Sequence, residues 1–170
     1  MTHVARTSLV VACLCAALVA CGSSEGRVDL QTGIQQGPYD VVRTVDGDTI
    51  RVDRDGEEIV VRLIGIDTPE TVAQDRPIEC FGPEATARTA QLVEGKQVWL
   101  EYDEVSGLTD KYDRTLAYVW LTTDLMLNEQ LVREGFAEEY TYSEGARYQA
   151  QMVQAEGEAR ASRAGLWSAC

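Results

Sequence analysis

Residues 59–66 read IVVRLIGI, an apolar run broken only by Arg62 and Gly65. A strand with one face in water alternates apolar and polar residues, because successive side chains point to opposite faces. A run without alternation needs cover on both faces. The segment therefore predicts an interior strand of a closed or doubly covered sheet. A solvated charge has no place in such a strand, so Arg62 requires a carboxylate partner or an anionic ligand. Asp67-Thr68-Pro69 ends the run, since proline cannot donate to a ladder.

The neighbours of this strand can be read the same way. Residues 39–45 (YDVVRTV) predict a first strand, closed by the hairpin dipeptide Asp46-Gly47. Asp48–Asp53 predicts a second, and Arg54-Asp55-Gly56-Glu57 turns the chain into the apolar run, the third. Gly82-Pro83-Glu84 opens a helix that runs to Glu94, with Gly95 as its stop. Residues 97–103 (QVWLEYD) predict a fourth strand, 104–113 a polar loop, and Arg114–Leu121 a fifth strand. Helices follow from about Leu125 to Glu134 and from about Glu144 to Arg163. This order predicts an α+β, mainly β fold: a five-stranded OB-type Greek-key barrel with three helices. No internal repeat is present, and a monomer is the expectation.

The chemistry-bearing residues sit at strand ends. Asp46 and Asp48 bracket the first turn, and Asp67 and Glu70 follow the third strand. If those strands are neighbours, the four carboxylates converge at one end of the barrel. Hard oxygen ligands suit Ca²⁺ or Mg²⁺, and the single histidine, His3, and the few cysteines give no zinc set. Arg62 and Arg114 can grip a phosphate and stabilise charge that develops on it. Two guanidiniums, a hard cation and a carboxylate are the parts of a phosphodiester hydrolase. Each part also has a plainer reading. Asp46-Gly47-Asp48 is a common turn, Arg62 could be an ion pair with Asp67 or Glu70, Arg114 a surface charge, and Tyr112, Tyr140 and Tyr142 packing residues. Strict alternation places Arg62 and Asp67 on opposite faces, and a bulge or kink near Gly65 would bring them together.

Taken jointly, six runs resemble the staphylococcal (thermo)nuclease family. They are Val45–Thr49 (VDGDT), Arg62–Glu70 (RLIGIDTPE), Phe81–Ala85 (FGPEA), Thr109–Tyr118 (TDKYDRTLAY), Asn128–Gly135 (NEQLVREG) and Gly165–Trp167 (GLW). The resemblance implies a Ca²⁺-dependent nuclease that cleaves DNA and RNA to 3′-phosphate ends. Carried over by position, Asp48 and Asp67 would ligate Ca²⁺, with the Thr68 carbonyl as a third donor and Asp46 behind them. Glu70 would be the general base or water-orienting group, and Arg62 and Arg114 the phosphate-binding arginines. Lys111 and Tyr112 would lie near a second phosphate, and Tyr140 would pack on a nucleotide base. Two departures bear on recruitment of a polyanion. Asp113 stands where a glycine is usual, and residues 71–80 (TVAQDRPIEC) are not the basic loop of the best-known relative. The rival expectations are a silent OB-type binding module and an interaction lipoprotein.

The chain ends set the compartment. Arg6 precedes an uncharged apolar run, Leu9–Ala20, which is shorter than the about 20 residues that cross a bilayer. It predicts a secretory leader over residues 1–20. Leu18-Val19-Ala20-Cys21 resembles a bacterial lipobox, so Cys21 is expected to carry lipid and fix the exported chain to the extracytoplasmic face of a membrane. An ordinary leader cut near Ala20 is the alternative. Residues 21–37 are then the lipidated cysteine and a Gly/Ser/Gln-rich linker, and 38–170 the folded domain. Cys80 and Cys170 remain and suggest one disulfide. The chain carries 15 Lys+Arg against 28 Asp+Glu. That acidity sits awkwardly with a polyanionic substrate, for which phosphate contacts supply most non-specific affinity.

Overall fold

The computed structural model describes residues 33–71 and 77–170. The expected leader, Cys21 and most of the linker lie outside the described residues. The elements in chain order are β1 (Gln35–Asp46), β2 (Thr49–Arg54), β3 (Glu57–Leu63), β4 (Ile66–Asp67), α1 (Gly82–Val93), β5 (Gln97–Glu101), β6 (Thr115–Thr122), β7 (Leu125–Met126), α2 (Leu127–Arg133), β8 (Glu138–Glu139), α3 (Gln149–Ser162) and α4 (Leu166–Ala169). Strand β1 begins inside the segment that composition assigns to the linker, with Gln35 opposite Glu101 and Gln36 opposite Leu100.

Strands β1, β2 and β3 form an antiparallel meander. On the other edge of β1 comes β5, then β6, both antiparallel to their neighbours. The sheet closes because β6 also pairs in parallel with β3, Arg62 standing opposite Leu116. The result is the five-stranded OB-type barrel, with three longer helices and the one-turn α4 against it. Ile50, Val61, Leu63, Leu100, Tyr102 and Tyr118 fill its interior. Strand β3 meets the two-sided expectation only in part. Ile59, Val61 and Leu63 face the core, whereas Val60 and Arg62 on the other face are half-buried.

The apolar run does not stay one strand to Ile66. It stops at Leu63, turns at Ile64-Gly65 with Gly65 at φ +78°, and resumes as β4, paired with β8. The buried Asn128 fixes this corner. Its Nδ2 donates to the Ile64 carbonyl at 2.8 Å, and its Oδ1 accepts the Val119 N–H at 2.9 Å. Helix α2 starts two residues later than expected because Leu125 and Met126 pair with β6. Helix α3 starts at Gln149 rather than near Glu144. The Arg147 and Tyr148 N–H groups go instead to Asp103 Oδ2 and the Tyr118 hydroxyl, at 2.7 and 3.5 Å. Cys80 and Cys170 form the expected disulfide, with Cα atoms 6.0 Å apart.

Candidate active site

The turn between β1 and β2 carries Asp46 and Asp48 into the end of the barrel, where both are buried. Gly47 is required there by close approach. A Cβ on it would lie 2.6–2.9 Å from the Thr68 side chain. Thr89 of α1 donates to the Gly47 carbonyl at 2.5 Å and seats the helix on the turn. Asp48 is then fully engaged. Its Oδ1 accepts from the Thr49 hydroxyl at 3.0 Å, and its Oδ2 from the Thr68 N–H and hydroxyl at 3.1 and 3.2 Å. Asp46 lies behind it, accepting from the Gly47 N–H and the hydroxyls of Thr71 and Thr86 at 2.8, 2.7 and 3.2 Å. Burial pushes the Asp46 carboxyl above its usual range. The Thr71 and Gly47 hydrogen bonds oppose this, while Asp48 and a hydrogen bond with Glu70 add to it.

The corner at Gly65 turns Asp67 back onto Arg62. The guanidinium Nη2 lies 2.8 Å from Asp67 Oδ1 and 3.1 Å from Asp48 Oδ2. Its Nη1 donates to the Leu63 and Ile66 carbonyls at 2.6 and 2.9 Å. Arg62 thus joins the two carboxylates and holds the ends of the reversed strand. The ion pair with Asp67 is formed, and the same side chain lines the cleft described below. Desolvation at the cleft floor raises the Asp67 carboxyl, although its outer face is exposed. Arg62 opposes this, while Asp48, Glu79 and Glu138 reinforce it.

The opposite wall comes from the 104–113 loop. Asp110 accepts the N–H groups of Tyr112 and Arg114 at 2.9 and 3.0 Å, an Asx-type turn. It also accepts from Arg114 Nε at 2.7 Å, which fixes that guanidinium beside the Tyr112 ring, 5.5 Å from its centroid. Burial pushes the Asp110 carboxyl up, but the Arg114 and Tyr112 hydrogen bonds outweigh it and hold the group below its ordinary value.

One cleft of about 580 Å³ gathers Arg62, Asp67, Lys111, Tyr112, Arg114 and Tyr140. Tyr142 also lines it, 83 % exposed, with its ring 6.3 Å from that of Tyr140. The sequence assigns Tyr142 no site role, and its spacing of two from Tyr140 is the available signal. Glu70 stands outside this lining. Its Oε1 accepts the Thr71 N–H at 3.0 Å, and its carboxyl hydrogen-bonds with Asp46. Asn128 and Glu79 also went unassigned. Glu79 Oε2 accepts the Glu70 N–H at 3.0 Å.

The family model described as "Staphylococcal nuclease homologue" matches residues 60–169. The chain belongs to the staphylococcal nuclease family. Within it, the chain is 43% identical over 130 residues to the thermonuclease of Staphylococcus hyicus, covering 76% of this chain and 75% of that protein. It is 42% identical over 136 residues to the thermonuclease of Staphylococcus intermedius, covering 80% and 79%. Endonuclease YncB of Bacillus subtilis (strain 168) is 35% identical over 127 residues, 74% of this chain and 59% of its own.

The resemblance in sequence implies a hard cation at this site. Among the described residues, no three His, Cys, Asp or Glu side chains are arranged to hold a metal ion. Asp48 and Asp67, bridged by the Arg62 guanidinium, and the Thr68 carbonyl offer hard oxygens with no softer ligand among them, the donor chemistry that suits Ca²⁺. By donor chemistry these residues would hold part of a coordination shell.

Proposed function

We propose that the chain hydrolyses phosphodiester bonds in DNA or RNA in a Ca²⁺-dependent reaction that leaves 3′-phosphate ends. The observation that carries this reading is the single cleft that joins two guanidiniums, the Asp67 carboxylate, Lys111 and the tyrosines. Arg62 and Arg114 bind the scissile phosphate and stabilise its added charge in the transition state. Lys111 and Tyr112 hold a neighbouring phosphate. Tyr140 stacks on a base, worth about 1–3 kcal/mol whatever the base. Glu70 takes a proton from the attacking water or orients it. Asp48, Asp67 and the Thr68 carbonyl would hold Ca²⁺, which when bound polarises a phosphoryl oxygen. A lipid on Cys21 would keep the reaction at the outer face of the envelope, with residues 21–37 as the tether.

Cleavage of DNA and RNA by the folded chain, assayed with Ca²⁺ and with chelator, tests the reading. Chelator-sensitive cleavage giving phosphatase-labile 3′ ends is expected, and no Ca²⁺-dependent cleavage would leave the binding-module reading. Glu70→Gln is expected to lower kcat by about 10²–10⁴-fold while the far-ultraviolet circular dichroism stays unchanged.

A further inference from the structure

Glu70 begins a segment whose far end returns to it. The Glu79 N–H donates to the Glu70 carbonyl at 2.9 Å, and the Glu70 N–H donates to Glu79 Oε2 at 3.0 Å. Gly82 closes the same seam. A Cβ there would lie 2.7 Å from Thr71 Cγ2, 2.9 Å from the Pro69 carbonyl oxygen and 3.0 Å from that of Glu70. The backbone of residues 69–71 therefore rests on residues 79–82. Cys80 lies within that support and is bonded to Cys170. Phe81, next to it, has φ +70°, a conformation that a bulky side chain adopts only when its surroundings hold it there. Its ring stacks on Phe136 at 5.3 Å. A local turn, closed by the Gly82 N–H donating to the Glu79 carbonyl at 3.1 Å, and these tertiary ties together hold residues 79–82 in this form.

We propose that the Cys80–Cys170 bond positions Glu70, acting through Glu79, and so sets turnover rather than only stabilising the fold. In its kinetic part the inference rests on the nuclease reading. The Cys170 end of the bond has ties of its own. Leu166 is buried, and its N–H donates to the Gly135 carbonyl at 2.9 Å. The Arg160 guanidinium lies 3.6 Å from the Trp167 ring centroid, and the Cys170 N–H donates to the Leu166 carbonyl at 3.0 Å. The Cys170 end is thus fixed without the disulfide, and the bond extends that fixed point to residue 80. Opening it removes the covalent tie from residues 79–81, which keep only the Phe81–Phe136 stack and the hydrogen bonds of the seam, and leaves α4 docked. Both cysteines are exposed, so a soluble dithiol can reach them. Reduction leaves two thiols and converts one dithiol to its cyclic disulfide.

The test compares the oxidised chain, the chain reduced with dithiothreitol, and Cys170→Ser. Amide hydrogen exchange is read at Glu70 and at core residues Val61 and Leu100, beside kcat and KM on nucleic acid with Ca²⁺. Opening the bond is expected to speed Glu70 exchange by about tenfold or more while Val61 and Leu100 stay protected. It is also expected to lower kcat by about tenfold with KM changed by less than about twofold. Dithiothreitol then does nothing further to Cys170→Ser. Unchanged Glu70 exchange and kcat with only a lower Tm would overturn the proposal. Loss of Val61 and Leu100 protection together with Glu70 would also overturn it, because the bond would then hold the whole fold. Faster Glu70 exchange in a chain inactive in every state would support the positioning and remove the nuclease reading instead.

Discussion

Arg62 does the work of several residues. It neutralises Asp48, which is 6% exposed, meets Asp67 at the cleft, and binds two carbonyls at the strand reversal. A lysine keeps the charge but cannot serve four acceptors. Arg62→Lys is therefore expected to lower kcat by at least about 10²-fold with a smaller loss of stability than Arg62→Ala. The alanine variant leaves the Asp48 carboxylate without its cation and should lose about 3 kcal/mol in urea denaturation. A lysine variant with normal turnover would take Arg62 out of the reaction. Asp113 poses a separate residue-scale question. It has φ +63° and adds a carboxylate beside Arg114. Glycine adopts that conformation freely, so Asp113→Gly is expected to leave stability within about 1 kcal/mol and to lower KM several-fold at low salt. Both residues were legible in the sequence, Arg62 as a charge in an apolar run and Asp113 against the family pattern. Glu79 was not, because a carboxylate in a polar segment gives no sign that it accepts from a backbone N–H nine residues earlier.

At the scale of elements, the β3–β4 corner decides the site. Period-two reasoning alone puts Arg62 and Asp67 on opposite faces, and the turn at Gly65 undoes that. Gly65 signalled a break, but the Asn128 hydrogen bond to the Ile64 carbonyl that holds the corner crosses 64 residues of chain, a separation no local pattern encodes. Helix α1 depends on a second long-range tie. Arg88 Nε and Nη2 meet both carboxylate oxygens of Glu134 at 2.6 and 2.8 Å. The Arg88 hydrogen bonds, with Gln130 in support, hold the Glu134 carboxyl below its ordinary value of 4.5 against the effect of burial. The folded state then binds this proton more weakly than the unfolded state. The stabilisation is complete above 4.5 and is lost as the pH falls through the depressed folded value. Glu134→Gln should cost about 1 kcal/mol at neutral pH, with the difference from the parent chain shrinking in acid. Denaturant titrations at neutral and acid pH measure it.

At the scale of the whole molecule, charge and chemistry pull apart. A protein making several phosphate contacts loses about 10³–10⁵ in affinity between ~50 and ~200 mM salt. With 28 acidic against 15 basic residues, the net charge opposes a polyanion, and among the described residues Arg62, Lys111 and Arg114 in the cleft favour binding. KM is therefore expected to change by less than about tenfold over that range of monovalent salt. A steep rise in KM with salt, measured at fixed Ca²⁺, would show that an extended cationic path governs binding. The disulfide belongs to this scale as well, since it joins residues 90 apart and ties the C-terminal turn to the support of Glu70.

The sequence by itself determined the barrel, because strand periodicity and turn residues act over a few neighbours. It also determined most of the cleft, since Arg62, Asp67 and Arg114 stand at strand ends that any such barrel brings together. Only the tertiary structure decided how those residues are held. The Gly65 reversal, the Asn128 bridge, the Glu79 seam and the left-handed Phe81 are stable through partners distant in the chain. A hydrogen bond or covalent bond across tens of residues leaves no periodic trace in the sequence.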